Sequence, residues 1–378
     1  MKIVYARTGT SPYDKMFIGH LASNHRVDVV TVDVPTSRVS LTIGPTAGQV
    51  SVYGGDWKKY WKRPIPSTLV QDCYGLTTVC KRIVRSSPDV VVSGWIPTYG
   101  FYVALSGFHP HVLLVWGSDI LLLPQKSRLH LFKTLFTLRV ADMVVVDSNV
   151  QKDAAIGHGC DPRRIVCFPW AVDLDRFLPR PAASGQNRRG WYTVLCARTH
   201  EPIYGIEYLL EAITLVVDRI PTTKFVFVGS GSLTDKYREF VLKHGLDANV
   251  EFPGLVPHEK MPEILTSCDV YVTPSLSDGS SATLLEAMAC AKPCVATNIP
   301  GNREWINNDV SGVLVPPCDP RSIAEAILRL LKDPETARRL GREARLTVEQ
   351  KADLRRSLCL FESRLIELVE RAHSDSYV

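Results

Sequence analysis

Residues 274–286 read PSLSDGSSATLLE, and the reading of the whole fold starts there. Before them stands DVYVT, 269–273, a short apolar run rich in β-formers that fits a buried strand. After the turn comes LLEAMACAKP, 284–293, apolar in the manner of a buried helix and closed by a proline. Between the two lie Gly279, Ser280, Ser281, Ala282 and Thr283, small residues that crowd a backbone little. Strand, tight polar turn and helix start thus follow one another. Free N–H groups at such a helix start, together with the helix dipole, attract anions. Asp278 stands before the turn and Glu286 two turns into the helix, with seven residues between them. One carboxylate can meet a sugar hydroxyl, the other a ribose diol, and the amides between them a diphosphate. The stretch therefore describes a nucleotide-sugar site.

The same alternation continues on both sides. Upstream, strands are expected at Lys2–Ala6, Val27–Val34, Asp89–Ser93, Val112–Val115, Asp142–Asp147 and within Pro162–Phe168. A second series runs through Tyr192–Ala197, Lys224–Val228, Val250–Phe252, Asp269–Thr273, Pro293–Ala296 and Val313–Val315. Helical segments between the strands indicate βαβ units and parallel sheets. The expected fold class is α/β: two doubly wound, Rossmann-like domains in series, with ligands beyond the carboxyl ends of the strands and a cleft between domains. The first domain is expected over 1–177 and a linker over 178–190, LPRPAASGQNRRG. The second domain is expected over 191–350. Residues 351–378 form an amphipathic C-terminal helix with Leu354, Leu358, Phe361, Leu365 and Leu368 on one stripe, expected to pack back toward the first domain. Residues 36–68 give no clear pattern; they are rich in Pro and Gly and carry a basic-aromatic cluster, WKKYWKR, at 57–63.

Composition narrows the class. The chain has 378 residues, 45% apolar and 22% charged, as soluble two-domain proteins do. A net charge of +5 is too small to argue for a nucleic-acid partner, but suits an anionic membrane surface or a phosphorylated substrate. Ten cysteines without a CxxC pair argue against both a zinc site and a disulfide framework, and read as buried, reduced thiols of a cytosolic protein. The apolar part of MKIVYARTGT is too short for a signal peptide. The longest apolar run, near His111–Leu123, is broken by Asp119 and falls short of the ~18–20 residues of a membrane span. The expected location is cytoplasmic, with peripheral contact at the inner face of a membrane. The segment Ser127–Val140 supports that contact. Lys126, Arg128, His130, Lys133 and Arg139 lie there among Leu129, Leu131, Phe132, Leu135 and Phe136. A packed helix with a solvated basic face is the plain alternative.

Further motifs lie at strand ends. Ala197-Arg198 precedes GIEYLLEAI; VGSGSLTDKYREF, VEFPGLVPHEKMPEIL and GNREWINNDVSGVLVPPCDP follow in order, with the opening stretch before the last of them. The first half adds WGSDIL, ADMVVVDSN and FPWAVDLDRF. Taken together, these resemble a retaining glycosyltransferase of the GT-B fold, of the family-four (group 1) type. The resemblance is strongest over about residues 190–345 and thinner before them.

The resemblance implies an acceptor-binding first domain and a donor-binding second one. It places Glu286, the second acid of an E-x7-E pair, on the ribose, and Asp278, in the place of the first, on the transferred sugar. Gly279, Ser280, Ser281, Ala282 and Thr283 would offer amides to sugar and phosphate. Arg198 would neutralise the diphosphate, and the Gly254–Pro257 loop with Val256 would lie near the base. Three positions depart from the family pattern. Tyr204 stands where a Lys is common, and His200 is a candidate to share its work. Trp116-Gly117-Ser118-Asp119 replaces His-Gly-x-Asp, which leaves Asp119 as the polar candidate and Trp116 as a surface able to stack on a sugar. Thr8-Gly9-Thr10-Ser11 replaces a Gly-Gly loop, with Thr10 near phosphate. Asp278, Asp119 and Arg198 are the expected catalytic residues. Neither a cofactor nor a metal is expected, and Asp173-Leu174-Asp175 reads as a turn cap. The implied activity is transfer of a sugar, with retention, from a nucleotide sugar to a glycan or lipid-linked acceptor in cell-surface polysaccharide or glycolipid synthesis. A nucleotide-sugar 2-epimerase and a catalytically silent nucleotide-sugar binder are the competing readings.

Overall fold

The computed structural model describes residues 1–7, 12–32, 50–54, 67–179 and 190–375. Thr10 with the Thr8–Ser11 loop, the cluster at 57–63 and residues 180–189 of the expected linker lie outside the described residues. The chain divides into two compact units: Met1–Phe168 with Arg356–Val378, and Pro169–Arg355.

The first unit is built on a seven-stranded sheet, all parallel. Its strands are β1 (Lys2–Ala6), β2 (Arg26–Thr31), β3 (Val50–Gly54), β4 (Val90–Gly94), β5 (His111–Leu114), β6 (Met143–Val146) and β7 (Ile165–Cys167). Their order is β3-β2-β1-β4-β5-β6-β7, so the winding reverses between β1 and β4. The middle strands are buried along their length, which is why they read as runs of Val, Ile and Leu rather than as alternation. The helices are α1 (Pro12–Asn24), α2 (Ser67–Ser86), α3 (Phe101–Ser106), α4 (Ser118–Leu121), α5 (Leu123–Lys126), α6 (Arg128–Val140) and α7 (Asn149–Gly157).

Four of these elements were not expected: β3, α7 and the one-turn helices α4 and α5. The edge strand β3 pairs with β2 from inside the stretch that gave no pattern. Helix α7 buries only Gln151 and Ala155, too few positions to show an apolar period. Its start was nonetheless written as a Ser-x-x-Gln pattern: Ser148 caps the Gln151 N–H.

The second unit holds a six-stranded parallel sheet, β8 (Tyr192–Ala197), β9 (Thr223–Val228), β10 (Val250–Gly254), β11 (Val270–Thr273), β12 (Cys294–Thr297) and β13 (Val313–Val315). The order β10-β9-β8-β11-β12-β13 reverses between β8 and β11. Helices α8 (Ile206–Val217), α9 (Thr234–Lys243), α10 (Met261–Ser267), α11 (Ala282–Ala289), α12 (Pro300–Arg303), α13 (Pro320–Lys332) and α14 (Pro334–Lys351) complete it. Two apolar cores accompany this sheet. One gathers α8 and α13 side chains such as Leu210, Ile213, Ile327 and Leu331; the other gathers α11 and α14 side chains such as Leu285, Met288 and Val348.

The units part at Phe168/Pro169, ahead of the boundary expected at 178. Residues after Phe168 are already committed to the second unit: Val172 and Phe177 sit in its core, Val172 bridges to Asp353, and Arg345 donates to the Phe177 carbonyl at 2.6 Å. The last helix, α15 (Leu354–Asp375), counts with the first unit from Arg356 on. Glu362 on α15 meets His20 Nε2 at 2.8 Å and His25 Nε2 at 2.9 Å, and Phe361 packs edge-on against Phe17. Among the described residues no helix is long and apolar enough to cross a membrane. Among the described residues no disulfide is formed; Cys73, Cys167, Cys318 and Cys359 are exposed, so burial holds for only part of the set.

Candidate functional site

Strands β8 and β11 are neighbours, and the winding of the second sheet reverses between them. Loops leaving such a pair diverge and open a crevice at the carboxyl edge. Arg198 follows β8 directly, and the 274–281 turn follows β11. The fold brings them into contact. The Arg198 guanidinium ion-pairs with Asp278 and donates through Nη1 to Ser281 Oγ at 2.7 Å. Its flat face lies 4.1 Å from the centre of the Tyr204 ring. Tyr204, the residue found in place of Lys, thus supports the arginine as a cation–π platform. Burial raises the Asp278 carboxyl above its ordinary range, with Arg198 and the Gly279 N–H pulling the other way.

The turn itself is tied to the sheet. Thr283 Oγ donates to the Ala197 carbonyl at 2.9 Å and accepts from the Tyr271 hydroxyl at 2.7 Å. One hydroxyl therefore joins the start of α11 to the ends of β8 and the body of β11. Ser281, at the N-cap of α11, turns its side chain to Arg198 and caps no amide. Ser280 and Ser281 are both buried; Gly279 precedes them, and Ala282 opens the helix.

Glu286 is buried on α11. Its Oε1 lies 2.6 Å from His258 Nε2, and its Oε2 is a buried oxygen with no hydrogen-bond partner among the described residues. His258 is in turn held by Arg176, whose Nη2 donates to the His258 carbonyl at 2.7 Å and whose Nη1 lies 3.4 Å from Nδ1. Sequence reasoning missed both residues. The available signal was position: His258 directly follows the Gly254–Pro257 loop assigned to the base. Val256 itself is half-buried and packs on the core beside α11. His200 is fully buried, with Nδ1 2.9 Å from Thr234 Oγ and its ring against Tyr237 and Phe252. Burial lowers its pKa, with Arg238 adding to the effect, so the ring is a neutral packing group. Asp173 accepts from the N–H groups of Asp175 and Arg176, as a turn cap does.

The first unit has its own reversal point, between β1 and β4. One strand further on, after β5, Asp119 is fully buried, and both of its oxygens are engaged. Oδ1 accepts from the Trp116 N–H at 2.9 Å and Oδ2 from the Ile96 N–H at 3.2 Å. It joins the turns after β4 and β5. Burial pushes its carboxyl up to about 6, against the pull of those N–H groups and of Arg7. Trp116 presents its ring to the Arg7 guanidinium, 3.2 Å from the ring centre, and lies 5.7 Å from the Tyr13 ring. That face is therefore taken by an arginine rather than left for a sugar. Arg7 Nη1 is ion-paired with buried Asp14 at 3.0 Å, which also accepts from Tyr5. The sequence singled out neither Arg7 nor Asp14.

Comparison with known proteins agrees along the chain. Residues 184–347 match the family described as "Glycosyl transferases group 1", and residues 2–148 match "Glycosyl transferase 4-like". The putative glycosyltransferase EpsD of Bacillus subtilis is 34% identical over 39% of this chain and 40% of its own. The UDP-Gal:alpha-D-GlcNAc-diphosphoundecaprenol alpha-1,3-galactosyltransferase of Escherichia coli is 27% identical over 70% of this chain and 72% of its own. Across four of the curated relatives, EpsD included, the matched region spans only 33% to 61% of their length. Among solved structures, Anabaena HepE in complex with UDP and glucose superposes with a TM-score of 0.81 at 18% identity, covering 97% of this chain and 100% of that one. With both halves matched in order, and two doubly wound parallel sheets of the GT-B kind, the chain belongs to the group 1, family-four type of glycosyltransferases.

Proposed function

We propose that the protein transfers a sugar from a nucleoside-diphosphate sugar to a glycan or lipid-linked acceptor in polysaccharide or glycolipid synthesis, with retention of anomeric configuration and without a metal. The observation that carries this is the Arg198 cluster: a buried guanidinium held by Asp278, Ser281 and Tyr204 at the carboxyl edge of β8 and β11. A departing diphosphate needs fixed positive charge and N–H donors. Arg198 and the uncapped amides at the start of α11 supply both. Asp278 serves the transferred sugar, and Glu286 takes the ribose hydroxyls. Asp119 and Thr10 are the first unit's contributors, with Asp119 acting through the turns it holds. The names of the E. coli relative and of the HepE complex carry uridine nucleotides, which makes uridine the first base to try.

The test is a panel of UDP, GDP and ADP by thermal shift and calorimetry, followed by turnover of the matching nucleotide sugars and NMR assignment of the product anomer. One nucleotide should bind and its α-linked sugar should yield an α-linked product. Glu286→Ala should weaken nucleotide binding by about 1.5–3 kcal/mol, the scale of a hydrogen bond to a charged group. Absence of binding by every nucleotide, or unchanged affinity in that variant, would sink the reading.

We also propose that α6 rests on an anionic bilayer. Leu129, Phe132 and Leu135 are 57%, 57% and 41% exposed, one helical turn apart, with Lys126, Arg128 and Arg139 exposed around them. No acid occurs from 120 to 140. Lys133 does not belong to this basic face. It is buried, bonded to Asp72 at 2.8 Å and to the Pro97 carbonyl at 3.1 Å. Vesicles with phosphatidylglycerol should sediment the protein and neutral phosphatidylcholine vesicles should not, with loss of binding at high salt. Phe132→Glu should lower vesicle binding about tenfold, from lost apolar burial and added repulsion. Equal binding to both vesicle types would refute an electrostatic docking face.

A further inference from the structure

The candidate donor carboxylate is not alone. From the second unit's geometry we infer that His258 is a positioning residue for Glu286. It donates from Nε2 to Oε1 and so reserves Oε2 for the nucleotide's ribose diol. The inference rests on Glu286 being the ribose ligand and deepens that reading.

Three observations carry it. First, the proton can be placed. A guanidinium has donors only, so Arg176 Nη1, 3.4 Å from His258 Nδ1, makes Nδ1 the acceptor of the neutral ring. The ring proton then sits on Nε2, 2.6 Å from Glu286 Oε1, where it can only donate. Second, the ring cannot readily turn away. Arg176 also grips the His258 carbonyl at 2.7 Å, and Phe177 lies beside the ring with centres 5.6 Å apart. Third, the division of the carboxylate is uneven. Oε1 is engaged, whereas Oε2 is buried without a hydrogen-bond partner among the described residues. A buried, unpaired carboxylate oxygen is costly, and the cost is removed when a ligand brings a donor. A vicinal diol carries two O–H groups and fits that demand. His258 thus fixes which oxygen meets the ligand, and Arg176 fixes the tautomer that lets it do so.

The relation resembles that of a metal-bound imidazole to its outer carboxylate, with the roles exchanged: here the histidine orients the carboxylate. It also accounts for the spatial arrangement. The residue that follows the Gly254–Pro257 loop and the helix assigned to the ribose are joined by this hydrogen bond, so base and ribose recognition are coupled through His258.

The test uses the full chain and whichever of UDP, GDP or ADP it binds. His258→Ala should raise the nucleotide Kd and the donor KM about tenfold while kcat changes less than threefold. His258→Gln keeps an amide N–H near the Nε2 position and should recover most of the affinity. Arg176→Ala should give an intermediate loss. In nitrogen-edited NMR of the imidazole, the wild type should show the Nε2–H tautomer, and Arg176→Ala should lose that preference. The double variant His258→Ala/Glu286→Ala should bind no more weakly than Glu286→Ala alone. If losses of the two single variants simply add, or His258→Ala leaves Kd and KM unchanged while Glu286→Ala does not, the positioning role is overturned and the ribose role of Glu286 stands. If Glu286→Ala itself leaves nucleotide affinity intact, the ribose assignment fails, and this inference with it. Thermal unfolding of each variant separates these outcomes from misfolding.

Discussion

Replacing Arg198 with alanine should cost the protein both activity and stability. Its guanidinium is shared among Asp278, Ser281 and the face of Tyr204. Removing it leaves the Asp278 carboxylate, 17% exposed, with no cation, and breaking one side of such a largely buried pair should cost about 2–4 kcal/mol, somewhat less than for a fully buried one. The expected drop in kcat/KM is about a thousandfold, the scale of losing one preorganised donor to a developing oxyanion. Arg198→Lys keeps the charge but not the planar fork that reaches Ser281 and Asp278 together, and should recover only part of either quantity. The double variant Arg198→Ala/Asp278→Asn separates the two losses: it should regain stability, since no carboxylate is stranded, and regain no activity. The pH dependence has a definite sign. Burial already raises the Asp278 carboxyl, and loss of Arg198 raises it further. An acid whose folded pKa is raised contributes most to stability at low pH and loses that contribution as pH rises through the folded pKa. The stability deficit of Arg198→Ala should therefore shrink on acidification, read as the difference in urea midpoint from wild type. A variant with wild-type kcat/KM would remove Arg198 from the reaction.

The parts of this site that were legible in the sequence are those that local chemistry dictates. Asp278, Glu286 and the small residues between them announce a strand, a turn and a helix start within one short segment. Arg198 is likewise adjacent to the strand that places it. What was not legible is contact across long separations. His258 lies 28 residues from Glu286 and Arg176 lies 82 from His258, and no local pattern links them. Trp116 shows the same limit. As a sequence it offered a face for stacking; the fold fills that face with Arg7, the residue that follows β1. Asp119 was singled out for its chemistry, yet both its oxygens hold backbone amides. The fold class was readable because parallel strands buried on both faces leave continuous apolar runs. The edge strand β3 and the helix α7 were not, because each buries too little to impose a period.

The second large effect is expected from glycines that pack against the backbone bearing Arg198 and Asp278. Gly229 follows β9 with φ +136°, a conformation side chains rarely adopt, and a Cβ there would lie 2.2 Å from the Arg198 carbonyl oxygen. Gly301, in α12, meets the other member of the pair: its Cβ would lie 2.4 Å from the Asp278 carbonyl oxygen and 2.5 Å from that of Gly279. Both obstacles are backbone, so neither clash is relieved by turning a side chain. Either the loop bearing Arg198 or the turn bearing Asp278 must shift, by about 1 Å to restore ordinary contact. A misplacement of that size costs about a hundredfold in rate when the displaced groups meet the reacting bond. Gly229→Ala should lower kcat/KM at least that much and destabilise by about 2–4 kcal/mol, from overpacking together with backbone strain. Gly301→Ala carries the steric part alone and should destabilise less, about 1–3 kcal/mol, with a similar loss of rate. Gly19, within helix α1, supplies the contrast. Nothing lies within 4 Å of its Cβ position, and Gly19→Ala should be neutral or stabilising by up to about 1 kcal/mol with unchanged kcat/KM. The decisive comparison is between rate and stability across the three variants. If Gly301→Ala loses stability yet keeps its rate, the turn carrying Asp278 tolerates displacement, and its close packing serves the fold rather than the placement of the carboxylate.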